Sequence, residues 1–379
     1  MLYLDHAASG PVRAEAREAM SPFLGDRFGN PSSHHTVGED VAQALEDARR
    51  RVAGVLGMRP GDVIFTSGAT EANNLAIKGI AVAALLRRGR PGHVVTTAIE
   101  HESVLSSAEY LQRVHGVAVT HVPVDGDGLL SPTALTDALR DDTVLVSVGY
   151  ANNEIGTVQD AAALTAVTAP RRIPFHLDAV QAAGWLPLAG TGADALSLAG
   201  HKIGAPQGIG VLAIRGRVPL EPLLHGGGQE RDRRSGTQNV AGAVGFAVAL
   251  ELAERERTDA AARATALRDV FIRRVCELVP EASLTGHPTR RLPGTASFTF
   301  AGVSGEAILL ELERRGVVSS SGSACAAGSD EPSHVLVALG VAPEVAQTSV
   351  RFSFGHHFSG DPAPIADAVA ASVAAVRSR

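Results

Sequence analysis

Residues 63–86 read VIFTSGATEANNLAIKGIAVAALL and contain three successive patterns. A short run of β-branched and aromatic residues, 63–66, predicts a buried strand. A serine–glycine turn follows it, and residues 71–86 carry apolar side chains at helical spacing. Strand, turn and helix in this order form the unit from which α/β folds are built, so we expect such a fold around this segment.

The strand–helix unit recurs between about residues 40 and 215. Six further β-rich runs occur there, and helical patterns separate most of them. This alternation predicts a mostly parallel sheet of seven strands with helices on both faces. Such sheets bind ligands at the carboxyl ends of their strands. The six further runs are residues 93–97, 117–122, 143–148, 174–177, 195–198 and 210–214.

A smaller α+β domain is expected after the alternating region. A long, weakly charged helical stretch, 237–256, leads into a charged segment near 255–259. We therefore expect a large domain of residues 14–257, and a small domain made of residues 1–13 together with 258–379. The small domain should contain strands near 296–300 and 349–354, helices over 305–315 and from Pro362 onward, and a mobile Ser/Gly/Ala-rich loop at about 319–330.

The composition limits the functional classes. Of 379 residues 45% are hydrophobic, and 34 basic against 40 acidic residues give a net charge of −6. A large core can form, and this balance argues against a nucleic-acid-binding surface as the main function. Only two cysteines are present, which favours a reducing cytoplasm. No segment is apolar enough for a signal peptide or a membrane span, so we expect a cytoplasmic protein with no membrane partner and no direct nucleic-acid partner.

Lysine is scarce in this chain. Of the 34 basic residues 32 are arginine, and lysine occurs only at Lys78 and Lys202. Arginine cannot form a Schiff base, whereas lysine can. Lys202 follows a candidate strand and lies between glycines, where a backbone can approach a ligand closely; an exposed surface lysine is the alternative. Lys78 lies late in a helical pattern and is interpreted as structural.

Two further segments have residues suited to binding a phosphorylated ring. Ala69 and Thr70 follow a strand and a glycine turn, where the N–H groups of a helix N-terminus and the Thr70 hydroxyl can bind phosphate; an ordinary helix cap is the alternative. Asp178 and Gln181 come just after the strand 174–177. A carboxylate there can keep a pyridine nitrogen protonated, although it can equally cap a turn.

The two cysteines differ in their surroundings. Cys325 lies in SSSGSACAAG, residues 319–328, where no apolar periodicity predicts burial, so it is a candidate nucleophile. Cys276 has neighbours at helical spacing and is expected to pack.

The ordered set of motifs resembles the cysteine desulfurase family of fold-type-I, class-V-aminotransferase-like pyridoxal-phosphate enzymes. The resemblance extends over essentially the whole chain. The Ser-rich cysteine segment is similar to the long loop of the housekeeping and nitrogen-fixation branch. The motifs are YLDHAA (3–8), GNPSS (29–33), SGATE (67–71), EH (100–101), NNEIG (152–156), HLDAVQ (176–181), GHK (200–202), GGGQE (226–230), RSGT (234–237), the Cys325 segment and SVRFS (349–353).

The resemblance implies a reaction and a role for each matching residue. It implies that L-cysteine loses its sulfur, giving L-alanine and a persulfide on Cys325, which passes the sulfur to a protein acceptor or scaffold. The implied cofactor is pyridoxal 5′-phosphate, and the implied assembly is a homodimer. By this resemblance, Lys202 would form a Schiff base with the cofactor and transfer protons, and His101 would stack on the ring and assist proton transfer. Asp178 would contact the pyridine nitrogen and Gln181 the phenolic oxygen. The phosphate would be bound by Ala69, Thr70, His201 and the neighbouring subunit's copy of Thr237, and the substrate carboxylate by Asn153 and Arg351. No metal ligand is implied.

The chain departs from the family pattern at three places. Ala199 stands where a serine usually contacts the phosphate, Val180 where threonine is usual, and Ser9-Gly10 where two threonines are common. We expect these changes to weaken cofactor binding without changing the reaction class.

Two kinds of alternative function remain open from the sequence. A selenocysteine lyase or another pyridoxal-phosphate lyase or aminotransferase is the first, and an aminotransferase would not need Cys325. A non-catalytic sulfur-relay scaffold is the second, and it would be expected to lack Lys202, His101 or Arg351. The acceptor is left open between iron–sulfur cluster assembly, tRNA thiolation and DNA phosphorothioation.

Overall fold

A computed structural model describes residues 1–322 and 331–378. Cys325, the predicted sulfur carrier, lies outside the described residues. The strands are β1 (Leu2–Tyr3), β2 (Val63–Thr66), β3 (His93–Thr97), β4 (Ala118–Val122), β5 (Thr143–Gly149), β6 (Phe175–Asp178), β7 (Ala195–Ala199), β8 (Gly210–Ile214), β9 (Ala282–Leu284), β10 (Thr295–Phe300), β11 (Val317–Val318) and β12 (Val350–Ser353). The helices are α1 (Ala14–Met20), α2 (Thr36–Leu56), α3 (Ala69–Arg88), α4 (Glu102–His115), α5 (Pro132–Ala138), α6 (Ala161–Thr168), α7 (Gln229–Asp232), α8 (Val240–Leu278), α9 (Gly305–Arg314), α10 (His334–Ala338), α11 (Pro343–Ala346) and α12 (Ala363–Arg377).

The central sheet has seven strands in the order β2-β8-β7-β6-β5-β3-β4. Neighbouring strands from β4 to β7 pair in parallel, and β8 pairs antiparallel with both β7 and β2. The prediction of a mostly parallel, seven-stranded α/β sheet is therefore confirmed. The carboxyl ends of β5, β6 and β7 lie side by side, which brings the residues after these strands together.

Helix α3 shows how the deciding segment folds. It begins at Ala69, two residues before the predicted start, and ends at Arg88, where Gly89 adopts φ 68°. Its inward face, including Leu75 and Ile80, packs on the sheet beside Ile64 of β2. The first turn has no side-chain cap, so its N–H groups are presented at the carboxyl end of β2.

Helix α8 contributes to two separate hydrophobic cores. Its first half packs Phe246 and Leu250 into the core of the central sheet. Its second half packs Phe271 and Val275 against a three-stranded antiparallel sheet of order β12-β10-β9. The helix continues without a break through residue 257, so the expected boundary lies within one helix, and the division into residues 14–257 and the remainder stays a prediction.

Cys276 is exposed on α8, so the expectation that it packs is wrong. Its neighbours Phe271 and Val275 face the core, and each residue of a helix is rotated by about 100° from the previous one. Position 276 therefore faces outward. Within residues 1–322 and 331–378, none of the helices combines the length and the apolar character that crossing a membrane requires.

Candidate active site

A cavity of about 700 Å³ lies at the carboxyl ends of the parallel strands. It brings together nine side chains that were singled out in the sequence, although they are spread over more than 280 positions of the chain. The nine are Ala69, Thr70, His101, Asn153, Asp178, Gln181, His201, Lys202 and Arg351.

Lys202 ends a short 3-10 turn, Gly200–Lys202, that follows β7 directly. A Cβ on Gly200 would lie 2.8 Å from Ile209 Cγ2 and 3.0 Å from the Pro206 carbonyl oxygen, so only glycine fits this turn. The Lys202 ammonium donates hydrogen bonds to the carbonyl oxygens of Ala7 and Ala8. The N-terminal segment therefore forms one wall of the cavity, with the lysine held against it.

Asp178 ends strand β6 and is 9% exposed. Its Oδ2 accepts a 2.7 Å hydrogen bond from Asn73 Nδ2, and its Oδ1 accepts one of 3.0 Å from the Val180 N–H. The carboxylate thus caps a turn, as one interpretation of the sequence expected, and it also lines the cavity. Its contact with a pyridine nitrogen stays a prediction. Asn73, on α3, was not identified from the sequence; a buried asparagine on the inward face of a helix was the available signal.

His101 is the N-cap residue of α4. Its Nδ1 accepts a 3.0 Å hydrogen bond from the Ser103 N–H and lies 2.9 Å from Ser103 Oγ. These contacts fix the ring orientation. In the neutral ring the proton is then on Nε2, because Nδ1 accepts from the backbone.

His201 is neutral at pH 7. Burial, assisted by the charge of neighbouring Lys202, lowers its pKa to about 4. The His201 Nδ1 atom lies 3.4 Å from Ser9 Oγ. Ser9 is one of the residues at which the chain departs from the family pattern. On the same wall, Gln181 Nε2 donates to the Ala7 carbonyl oxygen at 3.0 Å. A neutral imidazole can donate one hydrogen bond to an anion without adding a charge.

Glu100 is a second buried carboxyl group in the cavity. Burial raises its pKa to about 8, and the nearby charge of Asp178 acts in the same direction. It accepts hydrogen bonds from the Thr97 hydroxyl at 2.6 Å and from the Gly149 N–H at 2.7 Å. Glu100 is therefore largely protonated at pH 7. In the sequence, Glu100 is recognisable only as part of the motif EH at residues 100–101.

Arg351, on β12, is 2% exposed. Its Nη1 donates to the carbonyl oxygens of Asn153 at 2.7 Å and Gly322 at 3.3 Å, and its Nη2 donates to Asp5 Oδ1 at 2.7 Å. Its Nε is buried and has no hydrogen-bond partner among the residues that the structure describes. A buried guanidinium in a cavity, with a donor to spare, suits a carboxylate ligand.

Thr237 does not line the cavity of its own chain. It is exposed, in the segment between α7 and α8. Glu230, in α7 just before that segment, adopts a left-handed φ of 51° and pairs bidentately with buried Arg49 at 2.7 and 2.8 Å. Glu230 also accepts the Phe65 N–H of β2 at 2.9 Å. The role expected for Thr237 in a neighbouring subunit stays a prediction.

The residues around the cavity fit pyridoxal phosphate chemically. Lys202 contributes an amine to the cavity lining and Asp178 contributes a carboxylate. The uncapped first turn of α3 offers N–H groups for a phosphate, and neutral His201 offers a further donor. The buried Arg351 guanidinium has the charge and the donors that suit a carboxylate.

Comparisons with known proteins give the family. The model of the family "Aminotransferase class-V" matches residues 2–361. "Cysteine desulfurase IscS" from Dictyoglomus turgidum is 46% identical over 93% of this chain and 89% of its own length. A solved "NifS-like protein" superposes with a TM-score of 0.89 at 35% identity, covering 100% of this chain and 99% of that one. The structure "SspA in complex with cysteine" covers 93% of this chain and 99% of that one, with a TM-score of 0.81 and 36% identity.

A match of this extent shows the class of protein. It is an α/β enzyme, and enzymes of this group in general depend on pyridoxal phosphate. The chain belongs to the aminotransferase class-V family and, within it, to the cysteine desulfurases of the IscS and NifS type.

Proposed function

We propose that this protein is a pyridoxal-phosphate-dependent cysteine desulfurase that converts L-cysteine to L-alanine and retains the sulfur as a persulfide. The observation that carries the proposal is the position of Lys202. In a chain with two lysines, this one lies in a cavity with Asp178, His101 and Arg351. Relatives named cysteine desulfurase, which this chain covers over most of their length, support the substrate.

Three side chains of the cavity, Asp178, Lys202 and His101, are assigned to the cofactor ring and the substrate Cα. When bound, pyridoxal phosphate supplies a ring that takes up negative charge from the substrate Cα. Asp178, held by Asn73 and the Val180 N–H, keeps a proton on the ring nitrogen. Lys202 Nζ holds the cofactor and moves a proton at the substrate Cα. His101, with its ring fixed by Ser103, packs on the cofactor ring and serves the proton transfers.

Further residues of the cavity bind the phosphate and the phenolic oxygen of the cofactor and the carboxylate of the substrate. The first turn of α3, with Ala69 and Thr70, binds the phosphate together with neutral His201. Gln181 Nε2 donates to the phenolic oxygen, in place of its present contact with the Ala7 carbonyl. Arg351 binds the substrate carboxylate, and the Asn153 side chain does so beside it.

Cys325 is proposed as the sulfur acceptor on the strength of its sequence context. Its thiolate attacks the substrate sulfur, so that an S–S bond forms as the Cβ–S bond of the substrate breaks. The electron pair of the broken bond stays with the carbon skeleton of the substrate, which takes up a proton at Cβ to form the methyl group of L-alanine. The persulfide then passes its outer sulfur to a protein acceptor or scaffold, with iron–sulfur cluster assembly as one destination. Two cysteines in 379 residues favour a reducing cytoplasm, and the exposed position of Thr237 suits a homodimer in which it completes the neighbouring site.

The two lysines allow a direct test of the cofactor site. Reduction of the holoenzyme with borohydride followed by peptide mapping should place the cofactor on the peptide that contains Lys202. Lys78 is the internal control, because its ammonium lies 4.3 Å from the centre of the Tyr110 ring in a cation–π contact. Lys78→Arg should stay yellow and Lys202→Arg should be colourless. A label on Lys78, or no label, would overturn the assignment.

A further inference from the structure

A carboxylate of the protein itself already contacts the guanidinium that we assign to the substrate. Asp5 Oδ1 accepts from Arg351 Nη2 at 2.7 Å, and the two side chains are 17% and 2% exposed. Arg351 Nη1 contacts only neutral groups, the carbonyl oxygens of Asn153 and Gly322. Asp5 is therefore the one charged group within hydrogen-bonding distance of Arg351 among the residues that the structure describes. It was not singled out from the sequence except as part of a motif.

The backbone of Asp5 is held independently of its carboxylate. The Asp5 carbonyl oxygen accepts hydrogen bonds from the Tyr3 hydroxyl and from the Ala8 N–H, both at 3.0 Å, and Asp5 forms a parallel bridge with Ser353 beside β12. These backbone contacts place the Asp5 carboxylate beside Arg351 independently of the ion pair between the two side chains. Changing only this group should leave the N-terminal segment in place.

Asp5 has two opposite effects on a substrate carboxylate. As a hydrogen-bond acceptor it helps to orient the guanidinium, and an asparagine oxygen can retain that contact. As a negative charge it repels any second carboxylate on the same guanidinium. Because Arg351 is buried and the Asp5 side chain is only 17% exposed, solvent screens the pair weakly, and repulsion between two carboxylates a few ångströms apart outweighs the difference between a charged and a neutral acceptor. The repulsive effect is therefore the larger one.

We propose that Asp5 sets the affinity of the site for amino-acid carboxylates, by opposing their binding to Arg351 and so favouring release of the alanine product. The proposal rests on the proposed function, because it takes Arg351 as the carboxylate site. Asp5 acts through Arg351 and needs no contact with the reacting atoms. Its signature is selectivity: only ligands that carry a carboxylate should respond to its charge.

The test compares L-alanine with ethylamine, which is alanine without its carboxyl group. Both are titrated into holoenzyme and followed by the cofactor absorbance. Asp5→Asn should bind L-alanine roughly fivefold or more tightly than the unchanged protein, and ethylamine within about twofold. The KM for L-cysteine should fall with the affinity for L-alanine. Asp5→Glu, which keeps the charge, should resemble the unchanged protein.

A matched control removes a different negative charge from the same cavity. Glu102 lines the cavity, is exposed, and has His334 as its ionic neighbour. Glu102→Gln should leave the affinity for L-alanine within about twofold, because an exposed charge is screened by solvent. Equal tightening in Glu102→Gln and Asp5→Asn would overturn the proposal.

Arg351→Gln separates failure of this proposal from failure of the proposed function. Loss of L-alanine binding in Arg351→Gln, with unchanged or weaker binding in Asp5→Asn, would overturn the role of Asp5 and leave the proposed function standing. If Asp5→Asn bound ethylamine more tightly to the same extent as L-alanine, the role of Asp5 would also be overturned. Undiminished L-alanine binding by Arg351→Gln would show that the carboxylate site lies elsewhere, and both assignments would fall.

Discussion

The side-chain amide of Asn73 donates a 2.7 Å hydrogen bond to Asp178 Oδ2, and this bond joins helix α3 to the end of strand β6. The same Nδ2 donates to Ser103 Oγ at 2.9 Å, and Ser103 in turn contacts His101. Three elements that carry proposed cofactor-binding residues are thus connected through one buried asparagine. Asn73 Oδ1 is buried without a partner among residues 1–322 and 331–378.

Asn73→Ala should weaken cofactor retention. Removing the amide takes one of two observed hydrogen bonds from the Asp178 carboxylate, and a hydrogen bond to a charged group contributes about 1.5–3 kcal/mol. Cofactor loss on dialysis, followed at the cofactor absorbance, should be at least tenfold faster than for the unchanged protein, on the order of 1.4 kcal/mol. Unchanged retention would show that Asn73 does not support the cofactor through Asp178.

Ala199→Ser should slow cofactor loss. Ala199 is 1% exposed, ends β7 and precedes the Gly200-His201-Lys202 turn. At this position the family resemblance implies a serine that contacts the phosphate. The added hydroxyl should gain one hydrogen bond in the holoenzyme, about 0.5–1.5 kcal/mol. In the cofactor-free protein the same hydroxyl is buried without that partner, so the free energy of unfolding should fall. Faster cofactor loss from Ala199→Ser would refute this interpretation.

Glu100 should make stability decrease as pH rises. Its pKa is raised to about 8 in the folded protein, above the unfolded value of 4.5, so the folded state holds the proton more tightly between these values. The free energy of unfolding therefore declines as pH rises from about 4.5 to about 8. Glu100→Gln, whose amide donates to Thr97 and accepts from the Gly149 N–H, should flatten this decline by a few kcal/mol. Urea unfolding of the cofactor-free protein at pH 6 and pH 8 measures the change in the free energy of unfolding. An equally steep decline in Glu100→Gln would contradict the assignment of the decline to Glu100.

Glu230→Gln should destabilise the protein by about 3–5 kcal/mol. The variant leaves the Arg49 guanidinium, 2% exposed, without its bidentate charged partner. Asp47→Asn is the matched control, because Asp47 pairs with Arg50 in a contact where both side chains are more than half exposed. The control should cost less than about 1 kcal/mol. Equal losses in the two variants, measured by chemical unfolding, would show that burial does not decide the cost.

The central sheet could be predicted closely from the sequence. Each of its seven strands was expected within one residue of its observed ends, since strands such as β3 and β8 are short apolar runs bounded by turn residues. Helix α8 was underestimated, because the charged segment near residue 257 resembles a linker. In the structure its acidic and basic side chains lie on one continuous helix, where Arg257 pairs with Glu254.

The principal residues of the cavity could be predicted from the sequence, but the residues that hydrogen-bond to them could not. Lys202, Asp178 and Arg351 were identifiable because their chemistry is specific and their motifs stand in a known order. Asn73 and Asp5 were not, since their roles arise from contacts across 105 and 346 positions of the chain. Cys276 was misjudged because helical spacing predicts a helix without fixing which of its faces is buried.

The central claim is that Cys325 takes the sulfur of L-cysteine, and the two cysteines of the chain allow it to be tested with a built-in control. The measurement is the amount of L-alanine formed per subunit in a single turnover with excess L-cysteine, by Cys325→Ser and by Cys276→Ser. Both variants should bind the cofactor and change its absorbance on addition of L-cysteine, because no proposed contact of Lys202, Asp178 or Arg351 involves a thiol. Cys276→Ser should form L-alanine like the unchanged protein. Cys325→Ser should form almost none, since a serine hydroxyl titrates far above a thiol pKa of roughly 8.5 and cannot supply the nucleophile. Near-normal L-alanine formation by Cys325→Ser would contradict the claim.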